Sequence, residues 1–470
     1  MFISIWKLGN RRWGAWLLFI LFVLGLAGLG LADAAGSRIS DGRYVATEWA
    51  RRYEGPLAGY MPAAIAVDGQ GNIYIIGSSW SGTSADFLTI KYGPDGRTLW
   101  TRNYNSPEDY YDYATAMAVD AQGNVYVTGY SVKTWDKQSP ASTIFVTLKY
   151  DTDGELLWER HYDGPIEGGR DIPVAMALDP QGNVLVTGES GKVDVEFASA
   201  TVKYSPDGLE LWVRRFQKGY DSSASAIAAD AQGNVYITGG LSGSGFHGDF
   251  FTVKYSPVGE ELWWRRYKGG NAGGANALAL DGQGNVYVSG SSMEAETGFD
   301  YVTIKYSPEG KRLWVRRYNG PGNQEDIAHA IALDAQGNVL VTGHSTGSGT
   351  NHDYATIKYS PDGKRLWVRR YKGTGNDSDS AHALALDGQG NVYVTGSSRE
   401  SGIKFMSTTI KYSPEGRRLW LRRYQPSATE AYSPTAMALD GRGNVYLTGV
   451  ASPPGTFVYD FLTIKYTQTP

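Results

Sequence analysis

Histidines and carboxylates in a regular spacing are the side chains of this chain whose chemistry is easiest to name. Two histidines occupy the same place in successive copies of a repeated unit, five residues before a repeated aspartate, and an aspartate precedes each of them by three residues. A glutamate and a third histidine are close in register. These residues are His329, His382, Asp326, Asp379, Glu325 and His344. Imidazole and carboxylate ligate zinc and related metals, so the set predicts a metal or catalytic site. The alternative is that the histidines fill space between packed elements and the acids are solvated.

Aromatic residues in the segments that vary between copies are a second candidate site. Such side chains bury a large area at little entropic cost, which suits a carbohydrate or protein ligand. The candidates are Trp80, Tyr110, Tyr111, Trp135, Phe246 and His247, together with Asp171, which shares its repeat position with Asp326 and Asp379. The alternative is that these side chains only pack their own loops.

The composition excludes several classes of function. The 470 residues contain no cysteine, which rules out disulfides, thiolate metal sites and a cysteine nucleophile. A formal charge of −4 lacks the basic excess of a nucleic-acid-binding protein. The zinc-peptidase string His-Glu-x-x-His and phosphate-binding loops are absent from the sequence.

The candidate residues are positioned by eight copies of one unit. Each copy has the string Asp-x-x-Gly-Asn, an apolar run that ends in glycine, a Lys-Tyr pair and, in most copies, a tryptophan with an arginine two residues later. The repeat aspartates are Asp68, Asp120, Asp179, Asp230, Asp281, Asp334, Asp387 and Asp440, and their spacing averages about 53 residues. A fixed period of this length indicates a repeat architecture.

Each unit predicts four short β-strands. In the sixth unit these are Ile327 to Leu333, Val339 to Thr342, Tyr354 to Tyr359 and Leu366 to Tyr371. Glycine-containing turns separate the first strand from the second and the third from the fourth. Four-stranded units at this period are typical of a β-propeller blade.

The two ends of the chain predict how the propeller closes. The last unit ends at Lys465-Tyr466 without a tryptophan strand, whereas Glu48-Trp49 near the N-terminus begins such a strand. We therefore expect residues 44–54 to complete the last blade, so that residues 35–470 form one all-β domain, an eight-bladed propeller. Alanines two and four residues before every repeat aspartate agree with crowded inner strands around an axis.

Residues 1–34 are typical of an export signal. Lys7, Arg11 and Arg12 precede an uncharged apolar run, and Ala32-Asp33-Ala34 offers a cleavage site with small residues. The run spans about 20 residues, which is also long enough for an uncleaved membrane anchor. Either outcome predicts a protein outside the cytoplasm: secreted, extracellular or periplasmic after cleavage, and anchored at the cell surface without it.

The repeated polar residues are predicted to be structural. A lone carboxylate in Asp-x-x-Gly-Asn suits a turn cap better than a calcium loop, which needs several converging oxygens. Tryptophan and arginine two residues apart on a strand share a face. We expect each such arginine to stack on its tryptophan or to pair with an aspartate of a neighbouring blade.

The string from Asp387 to Gly396 resembles the bacterial SBBP-type β-propeller repeat, whose hallmark is Asp-x-x-Gly-Asn-Val-Tyr-Val-Thr-Gly. The resemblance extends over residues 44–466 and implies an exported propeller without implying a reaction. Pro361 to Trp367 is similar to the docking motif of quinoprotein dehydrogenases, which are eight-bladed propellers. The adjacent cysteine pair that many of those enzymes place over the quinone cannot exist here.

The sequence therefore predicts an exported, non-enzymatic propeller that binds a protein or carbohydrate, at the cell surface or outside the cell, through its varied loops. It predicts no cofactor, no nucleic acid, and membrane contact only through an uncleaved leader. One alternative is a lyase or hydrolase, with a divalent metal as candidate cofactor, whose site over the central channel uses the histidines and aspartates named first. A quinoprotein-like oxidoreductase is the other, since fold alone does not select an activity.

Overall fold

A computed structural model describes residues 45–53, 61–80, 82, 84–107, 110–133, 142–192, 195–219, 221–243, 246–373, 375, 377–399, 405–427, 429–452 and 459–468. The predicted leader, residues 1–34, lies outside these described residues. The described residues form thirty-two β-strands and contain no helix. Accordingly, this part of the chain holds no helix with the length and apolar character needed to cross a membrane.

The strands follow one another in blades of four, each blade having an inner first strand and an outer fourth strand. The first blade contains β2 (Met61–Val67), β3 (Ile73–Trp80), β4 (Ala85–Tyr92) and β5 (Thr98–Tyr104). The second contains β6 (Tyr111–Val119), β7 (Val125–Val132), β8 (Thr143–Tyr150) and β9 (Leu156–Tyr162). The third contains β10 (Arg170–Leu178), β11 (Val184–Lys192), β12 (Glu196–Tyr204) and β13 (Glu210–Phe216). The fourth contains β14 (Asp221–Ala229), β15 (Val235–Gly243), β16 (Phe246–Tyr255) and β17 (Glu261–Tyr267).

The second half of the chain repeats the same order. The fifth blade contains β18 (Gly273–Leu280), β19 (Val286–Glu294), β20 (Gly298–Tyr306) and β21 (Arg312–Tyr318). The sixth contains β22 (Asp326–Leu333), β23 (Val339–Thr346), β24 (His352–Tyr359) and β25 (Arg365–Tyr371). The seventh contains β26 (Ser380–Leu386), β27 (Val392–Arg399), β28 (Phe405–Tyr412) and β29 (Arg418–Tyr424). The last group contains β30 (Ala431–Leu439), β31 (Val445–Ser452) and β32 (Asp460–Gln468), and its fourth strand is β1 (Val45–Tyr53).

Antiparallel pairing orders each blade from its first strand to its fourth. One parallel bridge, between Arg170 and Thr143, joins the second and third blades into a continuous sheet. Strand β1 pairs with β32 in the register Trp49 with Lys465 and Ala50 with Ile464. The N-terminal strand therefore supplies the outer edge of the last group.

The predicted all-β fold of four-stranded propeller blades is confirmed, with strands longer than the sequence indicated. In the sixth blade, β23 continues to Thr346 and β24 begins at His352, because pairing persists from Gly343 with Ala355 to Thr346 with His352. Residues 343–346 and 352–353, which lie between the predicted strands, therefore belong to strands, and residues 347–351 form the connection.

The apolar core lies between blades rather than within them. One cluster joins Trp314 and Tyr318 of the fifth blade to Val341, Ile357 and Tyr359 of the sixth. Equivalent clusters join the other neighbouring blades, and one of them places Trp49 against Tyr92 of the first blade. Each blade is consequently stabilised by burial against both neighbours.

Tryptophan and arginine fasten each blade to the next. Trp314 Nε1 donates to Pro361 O at 3.0 Å, and Arg316 Nε donates to Gly363 O at 2.5 Å. The guanidinium of Arg316 also lies 5.7 Å from the Trp314 ring centroid. The predicted stacking is confirmed, but these arginine Nε atoms donate to carbonyls of the neighbouring turn rather than pairing with an aspartate. The reason is that this turn, between the third and fourth strands, presents its carbonyls at the end of the tryptophan ring.

The repeat aspartates close the turn between the first two strands, as predicted. Asp334 Oδ1 accepts the backbone N–H groups of Gln336 at 3.0 Å and Asn338 at 2.8 Å, and Oδ2 accepts Asn338 Nδ2 at 2.8 Å. Lys358 Nζ lies 2.9 Å from the same Oδ2. The hydrogen bonds that the carboxylate accepts outweigh its burial and lower the pKa of Asp334. Both oxygens thus serve the turn and its neighbouring strand.

A β-bulge interrupts every inner strand at the same repeat position. The pairing skips one residue between Ala328 and Ala330, and the skipped residue is His329. The equivalent skipped residues are Ala63, Thr115, Val174, Ser225, Asn276, His382 and Thr435. The repeated glycine of the second strand belongs to this feature, because a Cβ on Gly343 would lie 1.9 Å from the Ile327 carbonyl oxygen. Bulges of this kind redirect side chains and are frequent beside active sites.

Candidate functional site

Two clusters of side chains lie at the end of the blades that carries the connections between the second and third strands and between blades. We call this end the loop face. One cluster is in the sixth blade and contains histidines and a glutamate, and the other is at the junction of the first and second blades and is aromatic.

Four histidines of the chain gather at the loop end of the sixth and seventh blades. His344 Nε2 lies 3.2 Å from Glu325 Oε1, and His352 Nε2 lies 3.5 Å from the same oxygen. The rings of His344 and His352 stack with centroids 4.4 Å apart. His329 Nε2 lies 3.1 Å from Nδ1 of His344, and the His382 ring centroid is 6.1 Å from that of His329.

Burial keeps much of this histidine cluster uncharged. Desolvation, together with a smaller effect of the neighbouring His344 and His382 rings, lowers the pKa of His329 to about 3. Burial also lowers the pKa values of His352 and His382. The hydrogen bond from His344 lowers the pKa of Glu325. At neutral pH His329 and His352 are therefore unprotonated near the ionised Glu325 carboxylate, and imidazole and carboxylate are groups that transition metals bind.

The structure separates the predicted metal residues into two groups. Glu325 and His344 contact each other, and His329 touches His344 from behind. His382 instead lies 3.1 Å, through Nδ1, from the Pro434 carbonyl of the last blade. Asn276 makes the matching contact in the fifth blade, donating to Ala328 O at 2.7 Å. His382 is therefore a link between blades at the bulge position.

The predicted aspartates lie beneath the loop face. Asp171, Asp326 and Asp379 are each at most 1% exposed, and burial raises the pKa of all three. Each accepts a backbone N–H from a glycine of the preceding connection: Gly164 to Asp171 at 2.7 Å, Gly320 to Asp326 at 2.5 Å and Gly373 to Asp379 at 2.6 Å. The alternative that they are solvated is wrong, because their oxygens hold the connections between blades.

The aromatic cluster contains two of the predicted residues and two others. The rings of Trp80 and Tyr111 lie with centroids 5.6 Å apart, and those of Tyr113 and Tyr130 are 5.2 Å apart. Tyr111 and Tyr113 alternate on β6 and so share a face. All four side chains are partly exposed. We call these four residues the aromatic patch.

The remaining predicted aromatic residues are less well placed by the structure. The partly exposed Tyr110 directly precedes β6, and its backbone N–H donates to Ser106 Oγ at 3.1 Å. Trp135 lies outside the described residues, as do the side chains of Phe246 and His247 at the start of β16.

One pair of repeat positions carries different chemistry from blade to blade. The pair consists of the residue nine before the repeat aspartate and the residue that follows the second-strand glycine. It is Tyr111 and Tyr130 in the second blade, and Glu325 and His344 in the sixth. In the third blade it is Arg170 and Glu189, which form an ion pair at 3.1 Å. The same scaffold position thus presents aromatic, acid–base or charged groups at the loop face.

Sequence reasoning missed His352, Tyr113 and Tyr130. His352 was overlooked because the third strand was started at Tyr354, two residues late. Extending the alternation backwards puts His352 opposite Thr346 and diagonal to His344. Tyr113 and Tyr130 are directly paired across β6 and β7, and the bulge position fixes that register.

The comparisons with known proteins agree with the fold. A family model described as "Beta-propeller repeat" (SBBP) matches residues 48–82 and 366–403. The chain is 23% identical over 383 residues to an uncharacterized WD repeat-containing protein L264 of Acanthamoeba polyphaga mimivirus, covering 67% of this chain and 27% of that protein. The chain thus spans about a quarter of the length of that relative.

Solved structures with a similar fold include Sqt1 of Chaetomium thermophilum. The match has a TM-score of 0.55 at 10% identity, and covers 91% of this chain and 100% of that one. Sqt1 bound to the N-terminus of the ribosomal protein L10 matches with a TM-score of 0.53 at 10% identity, over 88% of this chain and 98% of the other. At this identity the similarity extends to the fold alone. The eight repeat strings and the two family-model matches support an SBBP-type β-propeller repeat protein.

Proposed function

We propose that this protein is an exported, non-enzymatic propeller of eight blades, closed by its N-terminal strand, that binds a protein partner through the aromatic patch of Trp80, Tyr111, Tyr113 and Tyr130. The patch is the observation that carries the proposal. The closed ring is the scaffold that holds the patch rigid, and export places it where a partner outside the cytoplasm is available.

Contacts between inner strands support the closed ring. The inner strand of each blade contacts the inner strand of the next, and β30 of the last group contacts β2 of the first. Lys465 Nζ and Trp49 Nε1 both donate to Pro94 O of the first blade, at 3.0 and 3.3 Å. Blades that follow one another along the chain make the same contacts, as Trp314 Nε1 does with Pro361 O. A ring without a free edge needs no capping repeat.

The aromatic patch has the properties of a binding surface. Tyrosine and tryptophan are enriched where proteins meet, because each buries a large rigid area and keeps a polar atom for hydrogen bonding. Burial raises the pKa values of Tyr113 and, to about 12, of Tyr130, so these two phenols stay uncharged at neutral pH. The patch joins two blades, and its strands continue into the packed core, which reduces the entropy lost on binding.

An array screen with matched variants tests the binding role. The chain without residues 1–34 is applied to an array of extracellular proteins and glycans, beside the variants Trp80→Ala, Tyr111→Ala and Leu209→Ala. Leu209 is a suitable control because it is 64% exposed on a turn at the opposite end of the third blade. A protein ligand that binds here loses about 2 kcal/mol, near 30-fold, in each aromatic variant and keeps its affinity for Leu209→Ala. Ligands confined to glycans, or losses that are equal in all three variants, contradict the proposal.

Fractionation tests the export component separately. Expression of the full chain in a bacterial host is expected to give a mature protein outside the cytoplasm with its N-terminus near Ala35, or an intact membrane-bound form. Deletion of residues 2–34 is expected to retain the protein in the cytoplasm. A full-length chain found only in the cytoplasm contradicts export and leaves the binding test unaffected.

A further inference from the structure

Three potential ligand atoms converge at the loop end of the sixth blade. The side chains are Glu325, His344 and His352, and one ligand atom from each lies within 4.8 Å of the others. Among the described residues, these three form the group of histidine and acidic side chains whose ligand atoms converge this closely. It is distinct from the aromatic patch, which lies at the first and second blades.

Two of the spacings between these ligand atoms match the edges of a tetrahedral site. Nitrogen and oxygen ligands of zinc lie about 2.0–2.1 Å from the ion, which places neighbouring ligand atoms roughly 3.3–3.4 Å apart. The two edges from Glu325 Oε1 measure 3.2 Å to His344 Nε2 and 3.5 Å to His352 Nε2. Both distances from Glu325 therefore fit a shared ion, and the three ligand atoms all lie within 4.8 Å of one another.

Rigid elements hold the three side chains. His344 and His352 are on β23 and β24, which are paired neighbours, and Glu325 directly precedes β22, the next strand of the same sheet. The Glu325 backbone is fixed by Thr346, whose N–H and hydroxyl donate to the Glu325 carbonyl at 3.0 and 2.8 Å. Sites built on strands are more precise than sites built on loops alone.

A second layer of polar groups orients His344. Its Nδ1 lies 3.1 Å from His329 Nε2 and 3.3 Å from Ser380 Oγ of the seventh blade. A histidine that ligates through Nε2 carries its proton on Nδ1, and an acceptor there fixes the tautomer and ring orientation. His329 is placed for this role by the bulge of the inner strand.

We propose that Glu325, His344 and His352 bind a divalent metal ion of the zinc class, with His329 as a positioning residue for His344. The side chains of Glu325 and His352 remain 42% and 32% exposed, so a fourth coordination position faces solvent. Two histidines, one glutamate and an open position form the ligand arrangement of catalytic zinc sites, in which bound water is acidified or an anionic ligand coordinates the ion. This site goes beyond the proposed binding role.

Metal titration of the full chain, purified without a polyhistidine tag and stripped with a chelator, tests the proposal. The probe is Zn²⁺ followed by calorimetry, with Co²⁺ as a spectroscopic substitute whose visible bands report four-coordination. We expect one tight equivalent per chain. His352→Ala and Glu325→Gln are expected to lower the affinity at least tenfold, and His329→Ala 10- to 100-fold.

His161→Ala is the matched control. His161 Nε2 contacts Glu159 Oε1 at 2.6 Å in the second blade, so the variant removes a histidine from a histidine–glutamate pair elsewhere in the fold. It is expected to leave the affinity unchanged. Circular dichroism confirms that each variant is folded, which is expected because Glu325 and His352 are half-exposed. Less than one equivalent bound by the unaltered chain, affinities unchanged in His352→Ala and Glu325→Gln, or an equal loss in His161→Ala would overturn the proposal.

Discussion

Replacement of Trp49 by alanine probes the strand on which the proposed closed ring depends. The indole is 6% exposed, lies with its ring centroid 6.3 Å from those of both Tyr92 and Tyr446, and covers Gly96 of the first blade. Truncating a buried tryptophan to alanine costs about 3–5 kcal/mol of the free energy of unfolding. Pro94 O keeps its hydrogen bond from Lys465, so no acceptor is left unpaired and the lost burial dominates.

Trp212→Ala is the matched control for that variant. Trp212 is also 6% exposed, donates to Pro257 O at 3.1 Å and carries the Arg214 guanidinium at 5.7 Å, but it lies within a chain-internal pair of blades. Urea unfolding followed by circular dichroism is expected to give losses for the two variants within about 1 kcal/mol of each other. A loss below about 0.5 kcal/mol for Trp49→Ala, beside a large loss for Trp212→Ala, would refute the reasoning that β1 is an integral fourth strand.

Three further substitutions test particular contacts. Gln468→Ala removes the amide oxygen that accepts hydrogen bonds from Trp420 Nε1 at 3.3 Å and Lys411 Nζ at 2.8 Å. We expect it to lower the free energy of unfolding in urea by about 1–3 kcal/mol. An unchanged free energy of unfolding would show that this contact does not stabilise the fold. Gly363 has φ +82°, and a Cβ there would lie 2.9 Å from the Trp314 ring, so Gly363→Ala is expected to lower the free energy of unfolding by more than about 2 kcal/mol. Gly388→Ala is the control, because a Cβ there meets open space, and is expected to lower it by less than about 1 kcal/mol. Equal losses for the two variants would contradict the packing of Gly363 against Trp314. Asp112→Asn tests pH dependence. Burial raises the pKa of Asp112 to about 6, so the wild type is expected to lose free energy of unfolding as pH rises from about 4 to 6, and the difference in free energy of unfolding between wild type and variant is expected to shrink over that interval. A difference that grows with pH would contradict the raised pKa.

The sequence was most informative where packing repeats. The alternating strands, the turn aspartates and the tryptophan–arginine pairs were predictable, because each is a local pattern that every copy must satisfy to pack against its neighbour. The pairing of the strand around Trp49 with the last group was also predictable, because the C-terminal unit lacks a tryptophan strand and the N-terminal segment has one.

The sites were only partly predictable, because they depend on register across strands. His344 and Glu325 were found from repeat position, whereas His352 required knowing that pairing continues past Gly343. The burial of Asp326 was hidden because its partner, the backbone N–H of Gly320, lies in an irregular connection. The bulge that turns His329 towards His344 follows from a close approach of two backbones, which a single strand pattern does not encode.

A designed disulfide measures the pairing of the two chain ends most directly. The chain has no cysteine, so the double variant Ala46→Cys, Thr467→Cys contains only the engineered thiols. These two residues are partners in the register of β1 with β32, and directly paired strand residues have Cα atoms roughly 4.5–5.5 Å apart, within the range for a disulfide. Mild oxidation followed by mass spectrometry is expected to give an intramolecular link in most chains. A yield no higher than that of Ala46→Cys, Leu209→Cys would contradict closure by the N-terminal strand.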